Sequence, residues 1–447
     1  MKSLPRFLQF LTAAALGTTT LLHAQLGPSP DAFFKPAPTA PENLPADKVY
    51  PVGRQFPFSF FSLGGGVGAD QHAALPEEEV RQQFERYKKV GLKLFGPQYE
   101  MNGRALEDAR AHGLQVIYTV TYGEPRFFHQ KPAVPLDEKD VTRSITEQVK
   151  AVADNESIAI WYLQPEELRP WRKDEMTFLE VASKAIREAD PRKRPIWIYD
   201  PAHASAGRLK SIAPWVDYLG KGMYTNYASM QENRIWVRWS MEQEVEAIRL
   251  ADAKAVPLAV PEMYHDSRRP PLTDEAIAKI PAWVRHDTYL SVATGAKGVV
   301  IFSLRQRPSL PPKAWEAYYE AYTRAARELL GPFGQAVLFG EKRGDIVIDH
   351  VSGPQELELV FPSGGLKEPV RYPSVTSLDL AYGNERYLLL VNSANEPVEV
   401  AVGGLPYASA QARELFDDDK PAFAVGEGEF PVELAPLEVR AYHFTRQ

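Results

Sequence analysis

Short apolar runs alternate with amphipathic stretches eight times along this chain, and this alternation constrains its fold more than any other feature. Each run has the length of a buried strand, and the stretches between them have the apolar spacing of helices. The runs are Phe58–Leu63, Leu92–Phe95, Val116–Val120, Ile158–Leu163, Ile196–Tyr199, Val216–Tyr224, Val256–Val260 and Val299–Leu304. From the first run to the last, one unit takes about 34 residues, which is typical of a (β/α)8 barrel.

Helix signals support this interpretation. The predicted helices include Glu77–Val90, Asp174–Ala189, Glu242–Ala253, Asp274–Ala293 and Ala314–Leu330. A doubly wound open sheet is the alternative, but it would normally have fewer strands and a glycine-rich phosphate turn that opens a helix. The glycines at 64–66 and 68 are followed by Asp-Gln-His-Ala instead, and a lone glycine cluster is a weak signal. We therefore predict an α/β fold with a TIM barrel over residues 57–335.

The spacing of the apolar residues changes from about Gly344 onward, where a pattern of short strands replaces the helical pattern. The predicted strands are Ile346–Ile348, Leu357–Phe361, Ser377–Leu380, Arg386–Asn392, Val398–Val402, Val432–Leu434 and Val439–Phe444. Seven short strands in about 100 residues, separated by turn signals, predict a smaller all-β sandwich domain over residues 341–447. The linker before it is short, so we expect the sandwich to pack on the barrel.

The N-terminus resembles an export signal rather than part of the fold. Lys2 and Arg6 precede an apolar stretch, Phe10–Leu22, and a small-residue cleavage site ends at Ala24. We predict a signal peptide over residues 1–24, a proline-rich leader over residues 25–56, and a periplasmic or secreted protein. The chain has no cysteine, which excludes a lipid-anchored cysteine, disulfides and thiolate metal ligands.

Composition and motifs exclude several functions. A net charge of -7 gives no basic footprint for nucleic acid, and no internal apolar run is long enough to span a membrane. The His-x-His start of metal-dependent barrel hydrolases is absent, because only Asp70 and His72 stand near the first run. A Gly-x-Ser-x-Gly elbow, a phosphate-binding loop and a nicotinamide fingerprint are also absent. We predict no metal and no cofactor.

Two carboxylates stand where a barrel places its chemistry, at the C-terminal ends of strands. Glu166 follows the fourth run and Glu262 follows the seventh, 96 residues and three barrel units later. Glycosidic bond cleavage requires such a facing pair, because one carboxyl donates a proton to the leaving oxygen and the other attacks or activates water. Glu167 is the alternative to Glu166, since successive strand residues point to opposite sides.

Further polar and aromatic side chains at or just past strand ends are candidates for substrate binding. Their hydrogen-bonding groups can bind sugar hydroxyls, and their flat rings can stack on sugar rings. These candidates are Gln98, Tyr224, Asn226, Tyr227, Trp236, Tyr264, His265 and Arg305. Trp236 belongs to a long segment after the sixth run, Met230–Ser240, which we interpret as a loop.

This arrangement resembles the clan of retaining (β/α)8-barrel glycoside hydrolases, in which strand four carries the acid/base, strand seven carries the nucleophile and a β-sandwich often follows. The resemblance implies that Glu166 is the acid/base and that Glu262 is the nucleophile, with Tyr224 hydrogen-bonded to it. Pro165 departs from the pattern, because many members have an Asn there that binds the 2-hydroxyl of the sugar.

The sequence therefore predicts an exported retaining glycoside hydrolase that cleaves a β-linked poly- or oligosaccharide. An endo-β-glucanase, for example one acting on β-1,3-glucan, is the first choice, and a β-mannan- or β-galactan-directed enzyme is close behind. A non-catalytic carbohydrate-binding barrel is the alternative from another class, and Pro165 is its main support. A retaining catalytic pair should stand about 5–5.5 Å apart.

Overall fold

The computed structural model describes most of the chain beyond the N-terminal region. It covers residues 28–36, 55–61, 77–97, 103–122, 135–164, 168–200, 204–360, 368–406, 410–417, 420–425 and 428–446. The predicted signal peptide, residues 1–24, and most of the predicted leader lie outside the described residues.

Eight parallel strands form one sheet, as the alternation predicts. They are β1 (Phe58–Phe60), β2 (Leu94–Phe95), β3 (Gln115–Thr121), β4 (Ile158–Gln164), β5 (Ile196–Asp200), β6 (Tyr218–Met223), β7 (Val256–Pro261) and β8 (Val299–Ile301). Their order is β1-β8-β7-β6-β5-β4-β3-β2. Consecutive strands from β2 to β8 are hydrogen-bonded neighbours, and β8 also pairs with β1. The predicted barrel is confirmed as a nearly closed one.

Side-chain hydrogen bonds connect β1 to the residue just past β2 and to Tyr87 of the helix that precedes β2. The Ser59 hydroxyl donates to the carbonyl of Gly96, just past β2, at 2.7 Å. The Phe60 amide donates to the hydroxyl of Tyr87 at 3.0 Å. Both groups of β1 are buried, so these bonds satisfy polar atoms that would otherwise cost free energy.

Most helices of the described residues surround the sheet, whereas the short first helix packs in the C-terminal part of the chain. The helices are α1 (Pro30–Phe33), α2 (Glu77–Val90), α3 (Gly103–Ala111), α4 (Glu138–Val152), α5 (Lys173–Ala189), α6 (Ala206–Leu209), α7 (Trp236–Leu250), α8 (Asp274–Thr294), α9 (Pro312–Leu329) and α10 (Pro332–Phe339). The start of α8 has a sequence signal, since the Thr273 hydroxyl accepts the amide of Ala276 at 3.2 Å. Among the helices of the described residues, none is long and apolar enough to cross a membrane.

The C-terminal part is built from antiparallel sheets, which confirms the predicted all-β domain. Its strands are β9 (Glu341–Lys342), β10 (Val347–Ser352), β11 (Glu356–Leu359), β12 (Val370–Pro373), β13 (Val375–Tyr382), β14 (Glu385–Asn392), β15 (Val398–Gly403), β16 (Ala410–Leu415), β17 (Phe423–Ala424), β18 (Phe430–Leu434) and β19 (Val439–Arg446). A six-stranded sheet has the order β17-β16-β19-β14-β13-β9, a three-stranded sheet has the order β10-β15-β18, and β11 pairs with β12.

The six-stranded sheet is the middle layer of the molecule. On one face, Leu388 and Leu390 of β14 share a core with Val400 of β15 in the three-stranded sheet. On the other face, Leu389 and Val391 belong to the main core, which includes the barrel helices. The alternation of β14 thus fills two cores, and the expected packing of the sandwich on the barrel is present.

Part of the predicted leader lies in the core of the sandwich. Phe33, at the end of α1, is fully buried and meets Phe444 of β19 edge to face at 5.9 Å between ring centroids. The buried Arg386 donates from Nη1 to the carbonyl of Phe33 at 2.8 Å, and its guanidinium lies 4.4 Å from the centre of that ring. The segment therefore supplies apolar surface and satisfies a buried cation.

Replacing Phe33 with alanine is expected to lower the free energy of unfolding by about 3–5 kcal/mol, because it leaves a cavity in the sandwich core. Urea unfolding of the purified protein measures this change. Lys35→Ala is the matched control, since Lys35 is exposed two residues further on and should change stability little. Equal stability of both variants would show that the segment does not hold the sandwich together.

Candidate active site

Glu262 is the best-defined catalytic candidate in the described residues. It directly follows β7, its backbone forms a parallel bridge with Phe302 beyond β8, and only 3% of its surface is exposed. Its Oε1 accepts two hydrogen bonds, from Thr225 Oγ1 at 2.7 Å and from the Asn226 amide at 2.6 Å. Its Oε2 has no hydrogen-bond partner within the described part of the chain. One oxygen is thus fixed by the two residues that follow Tyr224, and the other is buried without a hydrogen-bond partner among the described residues.

Burial governs the acidity of this carboxyl. Removal from water raises the pKa of Glu262 to about 8, while the bonds from Thr225 and Asn226 and the charge of Arg234 act in the opposite direction. Asp287, a second buried carboxyl nearby, adds to the increase. A carboxyl of this kind changes its charge near neutral pH, which is common at catalytic positions.

A buried chain of hydrogen bonds supports Glu262 from behind. Arg234 Nη2 donates to Thr225 Oγ1 at 3.1 Å and, with Nε, binds Asp287 at 2.5 and 3.0 Å. His286 Nδ1 lies 2.8 Å from Asp287 Oδ1, and its Nε2 lies 2.9 Å from the hydroxyl of Ser393 in the sandwich. The chain therefore runs from the candidate catalytic carboxyl to the second domain.

The protonation states of His286 and Asp287 in this hydrogen-bond chain follow from their surroundings. Burial lowers the pKa of His286, so the ring is neutral at neutral pH. Burial alone would raise the pKa of Asp287, but the charge of Arg234 and the bond from His286 outweigh it and lower that pKa. Because an ionised carboxylate only accepts, His286 carries its proton on Nδ1 and accepts from Ser393 at Nε2.

Arg234→Ala is expected to lower the free energy of unfolding by about 3–5 kcal/mol, because Asp287 would stay buried without its counter-ion. Urea unfolding measures the loss. The matched control is Arg268→Ala, which breaks the ion pair with Asp266; the Arg268 side chain is 69% exposed, so its removal should cost less than about 1 kcal/mol. Similar losses in the two variants would contradict the buried network.

Aromatic rings form the wall beside Glu262. Tyr224 and Tyr264 meet edge to face with their centroids 5.6 Å apart, and the ring of Phe302 lies 5.3 Å from that of Tyr224. The hydroxyl of Tyr224 donates to that of Tyr199 at 3.3 Å. The described donors to Glu262 are thus the two residues that follow Tyr224, which differs from the contact implied by the resemblance.

Asn226 and His265 fix each other next to the carboxyl. His265 Nε2 lies 2.8 Å from the carbonyl of Pro270, which can only accept, so this nitrogen carries the proton. Nδ1 of His265 therefore accepts from Asn226 Nδ2 at 3.0 Å. Both residues are nearly buried and position the loops after β6 and β7 rather than presenting free polar groups.

The rim of the site carries exposed groups. The ring of Tyr227 is 45% exposed, and the guanidinium of Arg268 lies 5.1 Å from its centre. Arg268 also binds Asp266, whose pKa it holds at about 2 through their hydrogen bonds. Arg305, past the end of β8, is partly exposed. Tyr227 and Arg305 are thus partly exposed, and their role in substrate binding stays a prediction.

Trp236 is a correction to the sequence analysis. It starts α7 rather than lying in a loop, and it is completely buried. Its ring stacks near Trp239 and above the buried Lys221. Residues 236, 239 and 240 are spaced as one face of a helix, and this face packs on β6, so the Trp236 ring has no free surface for a sugar.

The remaining predicted site residues are not described by the structure. Gln98, Glu166 and the alternative Glu167 are outside the described residues, as is Pro165. Thr225, Arg234 and Asp287 are not among the site residues predicted from the sequence. A signal for Asp287 exists, because it falls on the apolar stripe of α8 with Ile280, Val284 and Ser291. No group of three or more metal-ligating side chains occurs among the residues that the structure describes.

Solved structures with the same fold are glycoside hydrolases. A family 5 glycoside hydrolase from Bacteroides vulgatus is 14% identical, with a TM-score of 0.54 over 88% of this chain and 89% of that chain. An Anoxybacillus α-amylase is 11% identical, with a TM-score of 0.54 over 88% and 98% of the two chains. A family 27 β-L-arabinopyranosidase from Geobacillus stearothermophilus, in complex with arabinose, is 11% identical, with a TM-score of 0.53 over 88% and 98%.

Sequence comparison adds no assignment, since neither a protein-family model nor a curated protein matches this chain significantly. The chain has the fold of TIM-barrel glycoside hydrolases with a C-terminal β-sheet domain. At these identities the likeness concerns the fold alone.

Proposed function

We propose that this protein is an exported retaining glycoside hydrolase that cleaves a β-linked poly- or oligosaccharide. The observation that carries the proposal is Glu262, a buried carboxyl at the end of the seventh barrel strand with one oxygen fixed by hydrogen bonds and the other without a partner among the described residues. A fold that occurs in glycoside hydrolases supports it. The β-linkage and the export rest on the sequence alone.

The mechanism has two steps, and both carboxylates act in each of them. Glu262 attacks the anomeric carbon while Glu166 gives its proton to the leaving oxygen, which forms a glycosyl-enzyme and releases the first product. Glu166 then removes a proton from water, the water oxygen attacks the anomeric carbon, and the bond to Glu262 breaks. The hydrogen bonds from Thr225 and Asn226 would hold Glu262 at the correct angle for attack.

The test is release of reducing ends from β-glucans, β-mannans, β-galactans and xylans by the mature protein. The first choice is an endo-acting β-glucanase, for which long β-1,3-glucan chains should shorten rapidly. Product configuration, followed by proton NMR, should show that the β-anomer forms first. Binding to a glycan without cleavage would instead favour the non-catalytic carbohydrate-binding alternative.

A further inference from the structure

Two arginines past the end of β8 have no acidic partner among the residues that the structure describes. Arg305 and Arg307 are both partly exposed and follow the strand that lies beside β7. Neither has an ion pair or a hydrogen bond to a carboxylate in the part of the chain that the structure describes. Nε of Arg307 is buried and has no hydrogen-bond partner among those residues. A guanidinium with a buried, unbonded N–H costs free energy until an acceptor binds it.

Two other arginines at this end of the barrel are paired with carboxylates. Arg208 lies 2.9 Å from Asp200 at the end of β5, and Arg268 lies 2.7 Å from Asp266. Because Asp266 is already bound, it does not neutralise its neighbours after β8. Arg305 and Arg307 thus differ from Arg208 and Arg268, because no carboxylate in the described part of the chain pairs with either of them.

Arg307 lies close to the candidate catalytic carboxyl. Its guanidinium is 5.1 Å from the ring centre of Tyr264 and 5.0 Å from that of Phe302. Tyr264 is two residues past Glu262, and Phe302 is bridged to Glu262 through the backbone. The phenol of Tyr264 is affected by the charges of both Glu262 and Arg307. The two rings support the guanidinium, and the Arg307 residue as a whole is partly exposed.

The two cations also repel each other. Burial, and then the positive charge of Arg307, lowers the pKa of Arg305. Two adjacent positive charges without a counter-ion are unfavourable, and an oxyanion between them would remove the repulsion. Planar guanidinium groups bind carboxylates and other oxyanions through paired hydrogen bonds.

We propose that Arg305 and Arg307 form an anion subsite, and that the glycan substrate carries a carboxylate or a sulfate on a sugar bound beside Glu262. This inference rests on the proposed function and narrows its substrate class. It redirects the first choice from a neutral glucan to an acidic glycan. A hydroxyl of a neutral sugar can accept a hydrogen bond but cannot neutralise either arginine.

The test compares matched charged and neutral oligosaccharides by calorimetric binding to the Glu262→Gln protein, which should bind without turnover. One pair is a β-linked glucuronate oligosaccharide and its carboxyl-reduced form, and the other is a sulfated β-galactoside oligosaccharide and its desulfated form. At least one charged form is expected to bind about ten- to a hundredfold more tightly than its neutral form, since charged hydrogen bonds contribute about 1.5–3 kcal/mol. The pair that shows the preference identifies the anion.

Arg305→Ala combined with Arg307→Ala should remove the preference, so that the charged and the neutral forms bind with similar affinity. Arg249→Ala controls for net charge, because this arginine pairs with Glu246 on the outer surface of α7. Equal affinity for the charged and neutral forms, or a preference that survives the double substitution, would overturn the subsite.

Cleavage by the unsubstituted protein separates this inference from the proposed function. Cleavage of neutral glycans with no preference for acidic ones would leave the hydrolase intact and reject the subsite. Arginine-dependent binding of an acidic glycan without cleavage would support the subsite and reject the hydrolase.

Discussion

Glu262→Ala is expected to lower the rate of glycan cleavage by more than about a thousandfold, because the covalent step then loses its attacking group. The fold should survive, since the substitution removes a buried carboxyl whose charged form is disfavoured there. Reducing-end release from the substrate found in the glycan panel measures the loss. A variant that keeps its activity would exclude Glu262 as the nucleophile.

Adding azide to the Glu262→Ala protein shows whether the substitution removed the nucleophile or the acid/base. The alanine variant leaves space where azide can attack the anomeric carbon from the same side as the carboxylate, so the expected product is a glycosyl azide of inverted configuration. A product of retained configuration would assign the acid/base role to Glu262.

Among the strand-four candidates, Glu166→Ala should lower the rate of glycan cleavage by about 10²–10⁴-fold, while Glu167→Ala should lower it little.

The pH dependence follows from the same carboxyl. With a pKa of about 8, Glu262 would be ionised in about one free molecule in ten at pH 7. A nucleophile must be ionised, so kcat/KM should rise about tenfold per pH unit below this pKa and level off above it. A kcat/KM that is flat below pH 8 and falls above it would show that Glu262 acts as a proton donor.

The barrel could be predicted because its signal is local and repeated. Each strand is a short apolar run, and the spacing of the runs determines the number of units. The sandwich strand β16 escaped prediction, since Gln411 and Arg413 interrupt its small buried residues, Ala410 and Ala412. Its inward side chains are alanines, which give a weak strand signal.

In the site, too, features with a local sequence signal could be predicted, and features that depend on tertiary contacts could not. Glu262 could be predicted from its position after a strand, whereas its support could not, because Arg234 and Asp287 are 53 residues apart and meet only in the folded chain. Trp236 was misplaced for a related reason. An aromatic residue near a strand end suits both a sugar platform and a helix start, and only packing distinguishes the two.

Glu262→Gln is expected to stabilise the protein increasingly as the pH rises. The unfolded chain loses this proton near pH 4.5, and the folded protein keeps it until about pH 8. Between these values the folded state binds more protons, so the free energy of unfolding falls with pH, by at most about 5 kcal/mol. Glutamine is neutral throughout, and its carbonyl oxygen can still accept from Thr225 and Asn226.

Urea unfolding of both proteins at about pH 5 and about pH 8.5 measures this linkage. The two should be similarly stable at the lower pH and differ by a few kcal/mol at the higher one. The other buried carboxyls with raised pKa values, Glu244 and Asp379, are present in both proteins and cancel in the difference. Glu156→Gln should show no such trend, because that side chain is 84% exposed. If the difference in the free energy of unfolding between Glu262→Gln and the unsubstituted protein stays constant with pH, Glu262 is already ionised in the folded state at about pH 5. Its burial would then not be the reason for a loss of stability at higher pH.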